Sequence, residues 1–355
     1  MKSRTYSVVG VVIVLCFGIY LYNSFLQNND SYTLPTASSQ TDKDVSKIDT
    51  EIQPFSILFL GDAMFDRWVR DYMNTPAGAD IFKNLRADIT NADLTVLNLE
   101  GPITESASVA SYNNLRFTFP TTTATLLRDN GIDVVSLANN HSHNFGRVGL
   151  AQTRSFLDAA GVAYFGDAYN TTSTLSYVYK KNDVEIAFVG YHAFENPDLE
   201  AVLAEIRTHK SLGRTVVFFP HWGNEYQKKA GVFQRDAAQQ VVDAGADIII
   251  GAHPHVVQNI EVIKSTPVIY SLGNFIFDQW FSKDVQEELA VKVWIDPSSN
   301  MITSLELIPL VRTRYVPEHI SNPSVWCMQY TASSSVFTRF FTESQSPCIL
   351  KRAYE

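Results

Sequence analysis

Four imidazoles, two carboxylates and several amides in this chain each sit just past a short apolar run. His253 and His255 flank Pro254 after Ile248–Ile250 and Gly251-Ala252. His221 follows Val216–Phe219 and Pro220, and Asn139-Asn140-His141 follows Val134–Ala138. Asp62 follows Phe55–Leu60 and Gly61, Glu100 follows Leu94–Leu97 and Asn98-Leu99, and Asn274 follows Val268–Leu272 and Gly273. Neutral imidazole is the commonest protein ligand for metals. Pro254 fixes its backbone, which suits a rigid loop that aims both neighbouring rings. Mixed Asp, Glu, Asn and His donors favour borderline divalent ions such as manganese, iron or zinc over calcium. A carboxylate among them can bridge two ions. Such a pair acidifies a shared water and neutralises both the attacking and the leaving oxygen of a phosphoester. His141, one residue past a candidate ligand, is placed to protonate the leaving oxygen or to bind the transition state.

Read singly, several of these residues have plainer explanations. Gly61-Asp62 can be a turn, Glu100 a surface acid at a strand end, His221 a satisfied core histidine, and His253 and His255 solvated loop residues. Asn139-Asn140-His141 is harder to explain that way. Burying two amides and an imidazole without partners is costly, and a turn or cap accounts for one asparagine, not for all three residues. His192 ends the run Ile186–Gly190 with no accompanying motif and reads as core or loop. His143, His209 and His319 read as ordinary.

The elements that must position these groups follow from the runs themselves. Continuous apolar stretches of strand length mark strands buried on both faces, and ligands in α/β folds gather beyond the carboxyl ends of such strands. Amphipathic patterns predict helices over Leu150–Ala160, capped by Gly161, over Leu199–His209, and over Val232–Ala244, stopped by Gly245. The alternation of strand and helix predicts α/β architecture with helices layered over sheet. After Asp278 the pattern changes to two antiparallel strands, Leu289–Ile295 and Ile302–Leu310, around the turn-rich Asp296-Pro297-Ser298-Ser299-Asn300. Residues beyond Arg312 read as irregular.

Composition narrows the chemistry. The 355 residues are 45% hydrophobic and 18% charged, an ordinary globular balance, and carry a formal net charge of -9. An acidic chain without a basic stripe excludes a general nucleic-acid surface; an anionic substrate needs local positive charge, which bound metal supplies. There are 3 cysteines. Cys16 lies in an N-terminal apolar run, while Cys327 and Cys348 either pair in an oxidising compartment or stay as two thiols. No Cys/His zinc-knuckle spacing, nucleophile elbow, P-loop or dinucleotide fingerprint is present.

Residues 5–26 are uncharged and long enough to span a bilayer. Lys2 and Arg4 precede them and the next basic residue is Lys43, so the positive-inside rule keeps residues 1–4 in the cytoplasm and places the rest outside. A cleaved signal peptide is the rival; it has a shorter apolar core and a small-residue cleavage site, and neither is evident here. The expectation is an uncleaved anchor in the cell membrane. Residues 27–53 are polar and read as a flexible tether, residues 54–311 as the functional domain and 312–355 as a C-terminal extension.

Six motifs occur in order: Leu60-Gly61-Asp62, Asn98-Leu99-Glu100, Ser136-Leu137-Ala138-Asn139-Asn140-His141, His221-Trp222-Gly223-Asn224-Glu225-Tyr226, Gly251-Ala252-His253-Pro254-His255-Val256-Val257-Gln258 and Tyr270-Ser271-Leu272-Gly273-Asn274-Phe275. In them the chain resembles the bacterial capsule synthesis protein CapA family, associated with poly-gamma-glutamate, over about residues 54–311. That family is similar in fold to calcineurin-like metallophosphoesterases. The resemblance implies a four-layer αββα sandwich of metallophosphoesterase type behind an N-terminal transmembrane helix. It implies one or two divalent ions held by Asp62, Glu100, Asn140, His221, His253 and His255, with Glu100 where a bridging Asp usually sits and His141 as catalytic residue. Arg67, Asn139, Trp222, Glu225 and Asn274 are second-tier candidates for substrate contact or support of the ligands. The sequence also departs from the metallophosphoesterase pattern. Asp62-Ala63-Met64 stands where Asp-x-His is usual, Ala252 replaces a second histidine before the His-Pro-His triplet, and Asn144 replaces an acid. These departures bear on turnover more than on metal binding.

The function so implied is synthesis, export or attachment of an anionic capsule polymer through a hydrolase-like site. The partners are that polymer or a phosphorylated intermediate, membrane-bound capsule synthesis proteins, and the bilayer through the N-terminal helix, with no nucleic acid. The alternative is a non-catalytic polymer-binding or scaffolding subunit.

Overall fold

The computed structural model describes residues 53–106, 111, 113–195, 197–331, 341–343, 346 and 348–352. The anchor expected at 5–26 lies outside them, as does the tether up to residue 52. Among the described residues no helix is long and apolar enough to cross a membrane.

The strands are β1 (Phe55–Ala63), β2 (Leu94–Leu99), β3 (Val134–Ser136), β4 (Ala163–Phe165), β5 (Ser176–Lys181), β6 (Val184–His192), β7 (Thr215–His221) and β8 (Ile248–Ile250), then β9 (Ile260–Ile263), β10 (Thr266–Ile269), β11 (Asn274–Ile276), β12 (Glu287–Asp296), β13 (Met301–Thr313), β14 (Val316–His319), β15 (Phe341–Glu343) and β16 (Ile349–Arg352). The α-helices are α1 (Arg67–Met73), α2 (Arg86–Thr90), α3 (Thr122–Asp129), α4 (Gly146–Ala160), α5 (Glu200–Ser211), α6 (Val232–Ala244) and α7 (Pro323–Thr331). The larger sheet runs β15-β16-β13-β12-β1-β2-β3-β4, with β11 also pairing β1 and β14 pairing β13. The smaller runs β5-β6-β7-β8-β10-β9.

Strand β1 explains why its sequence is apolar without alternation. Side chains along a strand point alternately to opposite faces. Ile57 and Phe59 enter a core with Phe188, Val217 and Phe219 of the smaller sheet. Leu58 and Leu60 pack with Leu127, Leu150 and Leu157 from α3 and α4. A third core sets Val216, Phe218 and Ile249 against Val202, Ile206, Ala238 and Val241 of α5 and α6. The order is therefore helix, sheet, sheet, helix: the α/β class and the layering both appear. Between the sheets the rings of Phe59 and Phe188 lie 6.4 Å apart, and those of Phe165 and Phe188 lie 5.6 Å apart. Each such ring contributes about 1.5–3 kcal/mol by leaving water.

Two of the three expected helices end where glycine permits. Gly161 (φ 76°) and Gly245 (φ 111°) adopt the left-handed turn that stops α4 and α6. Strands β12 and β13 pair antiparallel as expected. The segment after Arg312, irregular by sequence, instead extends the larger sheet: β14 and β16 both hydrogen-bond to β13. A Cys327–Cys348 disulfide ties α7 to the start of β16.

Candidate metal centre

The carboxyl ends of β1, β2 and β3 in one sheet and of β7 and β8 in the other open onto a common space. Asp62 ends β1 and is in parallel register with Asn98 of β2 and Asn274 of β11. Gly61 makes that approach possible, since a Cβ there would stand 2.2 Å from the Gly273 carbonyl oxygen. Across the sandwich, His221 ends β7, and an isolated bridge to Ala252 brings the His253-Pro254-His255 loop alongside it. That loop is strained. His253 (φ 97°) and His255 (φ 56°) both have positive φ, as do Arg67 and Tyr226 nearby. Each such residue costs about 1–3 kcal/mol and persists only where its surroundings hold it. The Asp62 carboxylate supplies one hold by accepting the His253 backbone N–H at 3.2 Å.

Two donor groups result. In the first, Asn140 Oδ1 lies 2.9 Å from His221 Nε2, which lies 3.1 Å from His253 Nδ1. Ligands ~2.1 Å from one ion and at right angles stand ~3.0 Å from each other, so this spacing fits a shared cation. In the second, His255 Nδ1 is 3.3 Å from Asp62 Oδ2 and its Nε2 is 3.6 Å from Glu100 Oε1. Glu100 is fully buried, yet Oε1 has no hydrogen-bond partner. A buried carboxylate oxygen without a hydrogen bond, set among imidazoles, is a donor that a cation could take up.

The electrostatics agree. Burial pushes the Glu100 carboxyl well above its usual range, and the Asp62 charge adds to the effect. Burial alone would lower His255, but Glu100 and Asp62 outweigh it and raise the ring to about 9. A proton on His255 thus offsets carboxylates that a cation would neutralise better. His221 is held well below its usual range by burial and then by the neighbouring His253; His253 itself falls to about 2, by burial and then His255. Both stay neutral, the state that ligates.

His141 lies on the rim. Its Nδ1 accepts from Asn144 Nδ2 at 3.1 Å, which leaves the hydrogen of the neutral ring on Nε2, 3.9 Å from Glu100 Oε1. Its ring stacks on Phe117 at 4.2 Å, and burial, then the His255 charge, lowers its pKa to about 3. A neutral ring that turns Nε2 toward the centre can donate a hydrogen bond there.

The second-tier residues divide. Glu225 is exposed and lies with His253 and His255. Arg67 is almost buried, pairs with Asp278 and sits over the Phe117 ring. Three candidates for substrate contact are placed otherwise. Asn139 is fully buried; it donates to Asn98 Oδ1 and the Leu99 carbonyl and accepts the His141 and Ser142 N–H groups. It shapes the loop that carries Asn140 and His141. Asn274 is buried too, with Oδ1 3.0 Å from His255 Nδ1; it orients that ring. Trp222 points away from the centre into the core against α5 and α6 and donates Nε1–H to the Tyr270 carbonyl. None of the three has surface for a substrate. His192, expected in core or loop, is fully buried; its Nδ1 lies 2.8 Å from the Ala168 carbonyl and its Nε2 has no hydrogen-bond partner among the described residues.

Asn98, in the second of the six motifs, is the hub of the centre. Its Nδ2 lies 2.8 Å from Asp62 Oδ1, 3.3 Å from Glu100 Oε2 and 3.3 Å from His221 Nδ1. The signal was its place two residues before Glu100, which puts both on one face of the strand.

A two-sheet sandwich with carboxylates, amides and imidazoles converging at one rim defines the class. The chain belongs to the bacterial capsule synthesis protein PGA_cap family, whose sequence model matches residues 56–279. It is 29% identical over 282 residues to the capsule biosynthesis protein CapA of Bacillus anthracis, covering 73% of this chain and 68% of that one. To the PGA biosynthesis protein CapA of Bacillus subtilis it is 31% identical over 248 residues, 64% of each chain. The matched stretch thus spans about two thirds of the length of these relatives. A novel phosphatase of Mycoplasma pneumoniae aligns in structure with a TM-score of 0.47 at 15% identity, covering 73% of this chain and 94% of that one.

Proposed function

We propose that the protein acts at the outer face of the cell membrane in making, exporting or attaching an anionic capsule polymer, poly-gamma-glutamate, through a metallophosphoesterase-like centre. One observation carries the chemistry: Asn140, His221 and His253 offer three donors at about cation spacing beside the orphaned Glu100 carboxylate oxygen. Asp62, Glu100 and His255 would hold one divalent ion, and Asn140, His221 and His253 another. Bound ions would supply charge neutralisation and an acidified water. The chain's own residues do the rest. Asn98 holds Asp62 and Glu100 in place, Asn274 orients His255, and His141 directs Nε2–H toward the oxygen on which charge develops. The family supports the polymer, and the apolar run at 5–26 supports the anchor. The Cys327–Cys348 disulfide supports an oxidising, extracytoplasmic setting.

Metal analysis together with hydrolysis of an aryl phosphate ester in manganese tests this. Turnover that disappears in His141→Ala while the metal stays bound is the expected result; a native protein that binds no divalent ion refutes it. One observation favours the second reading, a polymer-binding or scaffolding module. Met64, where a further ligand would stand, accepts the Asp66 N–H on its sulfur at 3.0 Å. Metal without turnover, and a capsule unaltered in His141→Ala cells, is the outcome that reading requires.

A further inference from the structure

The donor group around Asp62 offers three protein ligands, Asp62, Glu100 and His255, and a site of this type keeps further positions for water or another ligand. With the Met64 sulfur engaged on Asp66, β1 supplies no further donor.

Glu225 is the acid within reach from the solvent side. Its carboxylate lies within 4.8 Å of donor nitrogens of His253 and His255. Those two histidines belong to different donor groups, so Glu225 faces the centre where the groups meet. It is also held there. The backbone N–H of Tyr226, a residue at φ 62°, donates to the Pro254 carbonyl at 2.8 Å and pins the loop after β7 to the His-Pro-His loop. The Tyr226 hydroxyl receives a hydrogen bond from Gln279 Nε2 at 3.1 Å. Gln279 Oε1 in turn accepts from Asn274 Nδ2 at 3.2 Å, and Asn274 Oδ1 meets His255 Nδ1 at 3.0 Å. A continuous set of hydrogen bonds therefore runs from His255 to the Tyr226 side chain, the residue next to Glu225. A solvated surface acid has no use for such orientation; a ligand does. Glu100 Oε1, fully buried, forms no hydrogen bond among the described residues and faces His255 Nε2 at 3.6 Å, so it adds a carboxylate donor to the same space.

We propose that Glu225 is a metal ligand that closes the centre from its open side and makes up for the donor missing after Asp62. The proposal deepens the metal-centre reading and rests on it. Its charge balance is favourable: Asp62, Glu100 and Glu225 carry three negative charges against four on two dications, which leaves net positive charge for an anionic substrate.

The test is manganese stoichiometry, by elemental analysis, and affinity, by calorimetry, for the full chain and for Glu225→Gln and Tyr226→Phe. Two ions are expected in the native protein. Glu225→Gln is expected to weaken one of them by ~100-fold or lose it, and Tyr226→Phe to weaken the same one by ~10-fold, the range seen when a ligand's support is removed. Melting temperatures in chelator should match the native value, because Glu225 is exposed; a lower value assigns Glu225 a structural role and overturns the proposal. Native affinity at every ion in Glu225→Gln also overturns it, even if turnover falls, since a substrate contact gives that pattern. Absence of manganese from the unmutated chain refutes the metal reading itself and is told apart by being seen without any substitution.

Discussion

His221 Nε2 and His253 Nδ1 stand 3.1 Å apart across the junction of two strand ends, with Asn140 Oδ1 2.9 Å from the former. Two neutral imidazole nitrogens this close share at most one hydrogen between them. A divalent cation relieves that crowding in the folded chain and not in the unfolded one. Manganese or zinc at a hundredfold excess over its dissociation constant should therefore stabilise the protein by about 2.7 kcal/mol per site. A thermal melt with and without metal measures it. His221→Ala or His253→Ala should remove the increment from the first donor group; an undiminished increment in both variants contradicts the assignment.

Asn98 ties both donor groups together from beneath. Asn98→Ala leaves Asp62 Oδ1 and the Asn139 amide short of partners in a buried setting, a loss of about 1–3 kcal/mol. It should also weaken metal binding ~10–100-fold without removing a ligand. Chemical denaturation in chelator and metal titration separate the two effects. A variant with native metal affinity would show that Asn98 supports the strands alone.

Phe188 meets Phe59 and Phe165 between the sheets, far from solvent. Phe188→Ala should cost about 3–5 kcal/mol through lost transfer energy and an unfilled cavity. The same variant, where folded, should keep the native number of bound ions. Denaturant unfolding and elemental analysis report on each.

Asp167 gives a pH dependence away from the centre. Burial would raise its pKa, but hydrogen bonds from the Thr174 hydroxyl, the Thr171 amide and the Tyr169 amide outweigh it and hold the carboxyl below its ordinary value. A depressed carboxylate stabilises the fold above the unfolded-state pKa, and that contribution is lost as pH falls through the folded-state value. Asp167→Asn should therefore destabilise at neutral pH and approach the native protein as the solution becomes more acid. Denaturation midpoints across that range check it, and a gap that widens toward acid pH contradicts it.

Much of the centre was legible because it is written in residues that are costly to bury. Asp62, Glu100, Asn140, His221, His253 and His255 each interrupt an apolar run, and the structure brings all six to one rim. Trp222 lies away from the centre for a reason period-two geometry supplies: it follows His221 directly, so a strand that turns His221 toward the centre turns Trp222 to the opposite face. Asn98 is hard to single out from sequence because an amide inside a strand looks like any polar interruption until its partners across β1 and β7 are known. The strands after Arg312 were illegible for a different reason. They are short, and their register comes from pairing with β13 and from the disulfide, neither of which is encoded locally. The layering was readable in β1 alone, since a strand apolar on both faces must be covered on both.

The donors are divided between the two sheets: Asp62 and Glu100 come from one, His221, His253 and His255 from the other. Any cation seated among them acts as a rivet through the sandwich. The halves then cannot slide or part without surrendering it, so occupancy and mechanical integrity of the whole slab would rise and fall together.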